Sequence, residues 1–320
     1  MKQEWRFEKG LHETGNGLYA WLQPDGGWGW SNAGLIVDGD QSLLVDTLFD
    51  AKLTQEMLDV MSDVAGIAPA AINTVVNTHA NGDHTHGNGL CTSAEVIASA
   101  ASAREMEAFT PQMMQGFMDA ADQLGDTGLY LKEIFGPFDF RQVAEKLPTR
   151  TFSGDLQLQV GGKHVELIEV GPAHTRGDVL VYVPEEKTVF TGDILFIDGT
   201  PLMWAGPVEN WIAACDRIIA MQADVIVPGH GPITDAAGVR RVQEYLLYVQ
   251  AETRKRFDAG LSVREAALDI SLSQFDSWGD AERIAINVDT LYREFSGTHS
   301  SADTVALFTL MAEIRKDQRG

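Results

Sequence analysis

The sequence predicts an α/β fold interrupted by one helical insertion and completed by a helical C-terminal extension, and three observations carry that prediction. Short apolar, β-branched runs alternate with helical spacing through the first three quarters of the chain. Between about residues 100 and 150 this rhythm gives way to a stretch rich in Met and Phe that reads as mainly helical. From residue 232 onward the apolar spacing is helical to the end.

In chain order, Gly17 to Leu22 and Gly34 to Val37 read as short strands around the loop Gln23-Pro24-Asp25-Gly26-Gly27-Trp28-Gly29-Trp30, whose glycines and tryptophans mark an exposed turn. Ser42 to Val45 is an apolar run that stops at Asp46, after which Leu53, Met57, Leu58, Met61 and Val64 recur on one helical face. Ile72 to Asn77 is β-branched and ends in a polar cluster opening with Thr78 and His79. Val165 to Val170 stops before Gly171-Pro172-Ala173-His174, Thr188 to Thr191 before Gly192-Asp193, and Asp224 to Val227 before Pro228-Gly229-His230. Each of these strands delivers a side chain able to bind metal at its exit.

The insertion carries Met106, Phe109, Met113, Met114, Phe117, Met118, Phe135, Phe138 and Phe140, which suit either helical core or a lid over the strand ends. As a lid it would wall an apolar substrate pocket with Trp28, Trp30, Met114, Phe117 and Trp204. Beyond residue 232 the helical runs are Val239, Val242, Leu246, Val249, then Ile284, Val288, Leu291, Phe295, then Val305, Phe308, Met311. Residues 1–235 are therefore read as the catalytic domain and 236–320 as an extension packed on it, equally suited to a homodimer interface.

Composition narrows the function classes. A chain of 320 residues with 44% hydrophobic and 22% charged residues is an ordinary globular protein with a sizeable core. Its net charge of −22 repels phosphate backbones, which removes nucleic acid from the expected partners and leaves a small-molecule substrate. No apolar stretch approaches the roughly 18 residues that span a bilayer, and Met1 to Arg6 lacks the apolar core of a signal peptide, so a cytoplasmic protein with no membrane partner is expected. Cys91 and Cys215 stand apart without C-x-x-C spacing and read as small buried side chains.

The chemistry concentrates in His79-Ala80-Asn81-Gly82-Asp83-His84-Thr85-His86, a loop between strand and helix. Imidazole nitrogen and carboxylate oxygen are ligands that zinc, iron and manganese accept, and the ends of like-directed strands converge on one sheet edge. His174, Asp193 and His230 can thus join His79, Asp83 and His84 around one or two ions. A bound cation lowers the pKa of water from 15.7 toward roughly 7, which supplies hydroxide at neutral pH. Asp83 or Asp193 is the candidate catalytic group to orient it and take its proton. No G-x-S-x-G segment offers a serine alternative.

His79-x-Asn81-x-Asp83-His84, followed by His174, Gly192-Asp193 and Gly229-His230-Gly231, resembles the metallo-β-lactamase superfamily over residues 17 to 235. The resemblance implies an αββα sandwich with a metal site on one edge. It implies His79 and His174 at a first ion, Asp83, His84 and His230 at a second, Asp193 between them, and Asp46 as the buried acid behind a ligand. The family pattern has histidine where this chain has Asn81, a weak neutral ligand that could instead contact substrate or merely form the turn. Within the superfamily the H-x-N-x-D-H variant resembles the chlorothalonil hydrolytic dehalogenase branch, which implies zinc and hydrolysis of an aryl halide; ester or lactone cleavage by a reduced site is the neighbouring expectation.

Other readings stand beside this one. Similar ligand sets in the superfamily hold iron for persulfide or oxygen chemistry, and a weakened first site would also suit a non-catalytic metal-binding module. His86 could replace the missing ligand or shuttle protons, although its spacing from His84 points it away. Arg176 and Asp178 are expected to pair with each other or cap the next strand, or to bind an anion. His12, His164 and His299 read as structural or exposed.

Overall fold

The computed structural model describes residues 5–298 and 302–319; His299 lies outside them. β1 (Gly10–Gly15), β2 (Leu18–Leu22), β3 (Ala33–Asp38), β4 (Gln41–Val45), β5 (Thr74–Val76), β6 (Glu95–Ser99) and β7 (Arg150–Phe152) pair in sequence order into one sheet. The first four are antiparallel, and β4 to β7 are parallel. A second sheet has the order β12 (Val225–Val227), β11 (Thr188–Phe190), β10 (Val179–Val183), β9 (Lys163–Glu169), β8 (Asp155–Val160). In it β12 is parallel to β11 and the remaining pairs are antiparallel, so β9, β11 and β12 run the same way.

Alternation along the strands sets the layers. Leu18, Ile36, Leu43, Val45, Val76 and Ile97 from the first sheet meet Val165, Leu167, Val179, Val181, Phe190, Val225 and Val227 from the second in one buried cluster between the sheets. Their neighbours Leu35, Leu44, Val75 and Val96, and Ile168, Leu180, Val189 and Ile226, turn outward into a larger cluster with the apolar faces of the helices.

The helices are α1 (Ala51–Ala65), α2 (Gly82–Thr85), α3 (Ala100–Met106), α4 (Pro111–Ala120), α5 (Gly125–Phe135), α6 (Val208–Ala220), α7 (Ala236–Asp258), α8 (Val263–Asp269), α9 (Ile284–Ser296) and α10 (Thr304–Arg319). α1 begins where Asp50 Oδ1 accepts from Leu53 N at 2.8 Å and ends at Gly66, whose φ of 74° suits glycine. Leu53, Met57, Leu58 and Met61 are buried as expected, but Val64, 59% exposed, lies past the edge of the apolar face. Val305 is likewise exposed, whereas Phe308 and Met311 are buried.

The insertion divides into two kinds of structure. Phe135, Phe138 and Phe140 are core, ringing Phe49 at centroid distances of 5.8, 4.8 and 4.9 Å. Met113, Met114, Phe117 and Met118 sit on α4 and are only half-buried. Residues of α7, α9 and α10 share the large outer cluster with the sheets. No helix of the described residues is long and apolar enough to cross a membrane.

A candidate metal centre at one edge of the sandwich

Strand direction brings the predicted residues together. β4 and β5 end on the same edge, placing Asp46 beside the loop from Thr78 to His84; β9, β11 and β12 end at His174, Asp193 and His230. His84 Nε2 approaches Asp193 Oδ1 at 3.1 Å, and Asp193 Oδ2 lies 3.4, 3.5 and 3.7 Å from Nε2 of His230, His174 and His79. His230 Nε2 is 3.3 Å from Asp83 Oδ2. Two trios stand out as able to grip a cation, His79/His84/Asp193 and Asp83/His84/His230. Ligands 2.0–2.1 Å from a tetrahedral ion stand about 3.4 Å from one another, which is the spacing around Asp193.

Every imidazole of the cluster is held by its other nitrogen. His84 Nδ1 donates to Asp46 Oδ2 at 3.0 Å, His230 Nδ1 to the Trp30 carbonyl at 3.1 Å, and His174 Nδ1 to the Leu202 carbonyl. His79 Nδ1 donates to Thr78 Oγ1 at 3.0 Å, whose hydroxyl donates to Asp46 Oδ2 at 2.7 Å. With Nδ1 occupied in all four, Nε2 is left facing the cluster, the arrangement that orients metal-binding histidines. Nε2 of His79 and of His84 and Oδ1 of Asp193 are buried without an aligned hydrogen-bond partner. Buried polar atoms are rarely left so.

Charge is distributed unevenly. Burial, reinforced by the nearby His84, holds His79 well below the usual imidazole range, and burial holds His174 down at about 4. The same burial acts on His84 and His230, yet Asp193 and Asp83 outweigh it, raising His84 well above its ordinary value and His230 to about 9. Burial is likewise outweighed by His84 and His230 at Asp83, which falls to about 2, and Asp193 is held well below the carboxylate range.

Two glycines allow the close approach. A Cβ on Gly229 would stand 1.9 Å from Asp193 Oδ1, and one on Gly192, at a φ of 50°, would stand 2.4 Å from Thr78 Oγ1. Asn32 fastens the His230 turn from the first sheet: its N donates to the Gly229 carbonyl at 2.7 Å and its Nδ2 to the carbonyls of Pro228 and Gly231 at 3.0 and 2.8 Å.

Asn81 stands at the N-terminal end of α2 without capping it through its side chain, and places its amide Nδ2 3.0 Å from His174 Nε2, beside the cluster where the family pattern has an imidazole. His86 does turn away: it stacks on Phe49 at 5.5 Å, and burial lowers its pKa to about 4. Arg176 and Asp178 do not pair with each other. Arg176 reaches Glu105 at 3.2 Å, and Asp178 accepts from Thr175 N and Oγ1 to close its turn. Trp28 is no pocket wall; its ring packs into the core against Phe135 and Phe308 and its Nε1 donates to Glu282. Trp30 leans on Phe138 at 5.0 Å, and Trp204 is half-buried with its N donating to the His174 carbonyl. Sequence reasoning missed Phe196, which lies parallel to His230 at 5.1 Å, and the carbonyls of Leu202 and Trp30.

The model of the metallo-beta-lactamase superfamily matches residues 26–230. The chain belongs to the metallo-beta-lactamase superfamily. This superfamily consists mostly of metal-dependent hydrolases, and the His/Asp clusters are its candidate metal-binding residues here. The chain is 33% identical over 88 residues to the 2,4-dinitroanisole O-demethylase subunit alpha of Nocardioides sp., covering 26% of each chain. It is 22% identical over 257 residues to a linear primary-alkylsulfatase of Pseudomonas sp., covering 72% of this chain and 48% of that one. The solved structure of a stereoselective inverting sec-alkylsulfatase from Pseudomonas sp. superposes with a TM-score of 0.68 at 16% identity, over 91% of this chain and 51% of that one, a likeness of fold. The chain thus spans from about a quarter to about half of the length of these relatives.

Proposed function

We propose that this chain is a metal-dependent hydrolase in which His79, His174 and Asp193 hold one divalent ion and Asp83, His84, His230 and Asp193 hold another, zinc being the ion the donor set suits. The observation that carries the reading is the trio of buried ligand atoms without an aligned hydrogen-bond partner, His79 Nε2, His84 Nε2 and Asp193 Oδ1, at the meeting point of four strand exits. When bound, the cation supplies positive charge that brings the pKa of water toward roughly 7 and stabilises the oxygen or nitrogen on which substrate charge gathers.

The chain's own groups fix direction and access. The side chains of Asp83 and His230 are 13% and 10% exposed, against 3% or less for His84, His79, His174 and Asp193, so water and substrate enter past Asp83. Asp83 Oδ2 is placed at that mouth to accept a hydrogen bond from the attacking water and set its angle. His230, held between the Trp30 carbonyl and the parallel Phe196 ring, keeps one wall rigid.

The substrate we propose is a small hydrophobic organic molecule, with hydrolytic dehalogenation of an aryl halide and cleavage of an ester or lactone as the leading reactions. Asn81, a neutral amide beside His174, supports a site reduced on one side, as in the dehalogenase branch. The likeness to alkylsulfatases adds alkyl sulfates to the candidates. Purified protein should contain one or two zinc ions per chain and lose turnover of at least one of aryl halides, lactones, thioesters or alkyl sulfates in chelator or on His84→Ala. Iron with a visible absorbance change under oxygen, or turnover untouched by that substitution, would sink the proposal.

A further inference from the structure

We infer that Asn287, on α9, is a positioning residue for His174, which makes the C-terminal helices part of the scaffold of the metal centre; the inference rests on the metal-centre reading above. His174 donates its Nδ1 hydrogen to the Leu202 carbonyl, and nothing in the side chain of Leu202 fixes that carbonyl. Its two neighbours are fixed by Asn287. Nδ2 of Asn287 donates to the Pro201 carbonyl at 2.9 Å, and Oδ1 accepts from Met203 N at 2.8 Å. The Tyr245 hydroxyl lies 2.9 Å from the same Nδ2. Because Met203 N can only donate and the Pro201 carbonyl only accept, the amide has one workable orientation.

Thr290 of the same helix and Arg283, in the turn that leads into it, complete the grip. Thr290 Oγ1 donates to the Met203 carbonyl at 2.7 Å, and Arg283 Nη1 to the Thr200 carbonyl at 3.0 Å. Positions 283, 287 and 290 stand four and three apart, the spacing that lines up side chains along a helix. At the other end of the segment, Trp204 N and Ala205 N donate to the His174 carbonyl at 2.9 and 3.1 Å. Residues 200–205 therefore form a strut tied to α9 on one side and to His174 on the other, with the Leu202 carbonyl at its centre. Asn287 is 1% exposed and Thr290 2%, so water does not replace a bond that is lost. α9 lies beyond the residues matched by the superfamily model, which end at 230, so the strut itself lies within the matched residues while the side chains that brace it come from the C-terminal extension.

A residue serving stability alone would lower the melting temperature and leave the imidazole and the metal affinity unchanged. The test uses the full chain, wild type and Asn287→Leu, with Thr290→Val and Thr290→Ser as a second, nearly isosteric pair. Nitrogen NMR of the histidine rings in metal-free protein reads the tautomer and mobility of His174, and Co²⁺ titration against a competing chelator reads affinity and visible spectrum. In Asn287→Leu the His174 ring signals should shift and broaden, and one equivalent of Co²⁺ should bind about tenfold more weakly with an altered spectrum. Thr290→Val should show a smaller change of the same kind, and Thr290→Ser should match wild type. Unchanged His174 signals and Co²⁺ affinity in folded Asn287→Leu would overturn the inference. Should that variant not fold, unchanged readings in Thr290→Val would overturn it. A wild type that takes up no metal would end the metal-centre reading instead, and the ring signals of metal-free protein would still decide the role of Asn287.

Discussion

The two sides of the cluster use the same kinds of side chain and differ in charge. His174 lies beside the neutral Asn81, and it and His79 meet one carboxylate, Asp193, whereas His84 and His230 lie against both Asp83 and Asp193. All four imidazoles are buried, so desolvation lowers them all; the second carboxylate at His84 and His230, and the repulsion of His84 on His79 and His174, separate a pair held below its ordinary pKa from a pair held above it. If the proposed ions bind, the acids rather than the count of imidazoles should decide where the first one gathers, and the Asp83 side should fill before the Asn81 side.

Removing the shared acid should break the comparison altogether. Asp193→Ala takes away the carboxylate that all four imidazoles face, Oδ1 toward His84 and Oδ2 toward the other three, and metal retained after dialysis, measured by elemental analysis, should fall below half an equivalent; two equivalents retained would show that Asp193 is not shared. Gly229→Ala should act almost as strongly. Its methyl group would stand 1.9 Å from Asp193 Oδ1 and push it aside, so activity should drop about a hundredfold, as expected when a reacting group shifts by about 1 Å. Wild-type turnover in a folded variant would mean that the His230 turn is looser than its contacts indicate.

A third change weakens both sides through one group. Asp46 holds His84 directly and His79 through Thr78, so Asp46→Asn should reduce affinity for the ions roughly 10- to 100-fold in chelator competition. A loss confined to one ion would separate the two arms. The comparison is sharpened by Asn81→His, which should raise affinity on the His174 side about tenfold and narrow the gap between first and second equivalents. An unchanged gap would locate the weakness elsewhere.

The smallest effect is on the pH dependence of the metal-free protein. His230 is raised from 6.5 to about 9 on folding, so its contribution is fully present below 6.5 and is lost as pH rises through 9. His174 is lowered from 6.5 to about 4, so folding is penalised as pH falls below 6.5. Thermal melts of metal-free protein should therefore peak near pH 6.5, and His230→Gln should flatten the alkaline limb. A flat alkaline limb in wild type would contradict the charge asymmetry.

The ligand-bearing parts of the fold were the legible parts. β4, β5, β9, β11 and β12 are apolar runs with a clear stop, at a polar residue, glycine or proline, so their ends could be read, and the common direction within each sheet places His79 at one sheet's edge and His174, Asp193 and His230 at the other's. β1 and β8 escaped notice because neither holds a continuous apolar run: Gly10–Gly15 has a single large apolar residue, and Asp155–Val160 only alternates polar with apolar and buries Val160 alone. Trp28 was misplaced because glycine-rich loops are usually exposed, and only α10 and α5, distant in sequence, supply the Phe308 and Phe135 that bury it. The supports of His174 and His230 are backbone carbonyls, which leave no trace in residue identity.

Asn32 joins the rim of one sheet to the turn carrying His230 by three bonds to consecutive parts of one chain segment. Breathing motions that would bare His230 must break all three together, so the amides of the tryptophan loop and of that turn are bound to trade their hydrogens with solvent as a single cooperative unit. The turn that carries His230 is consequently latched rather than hinged.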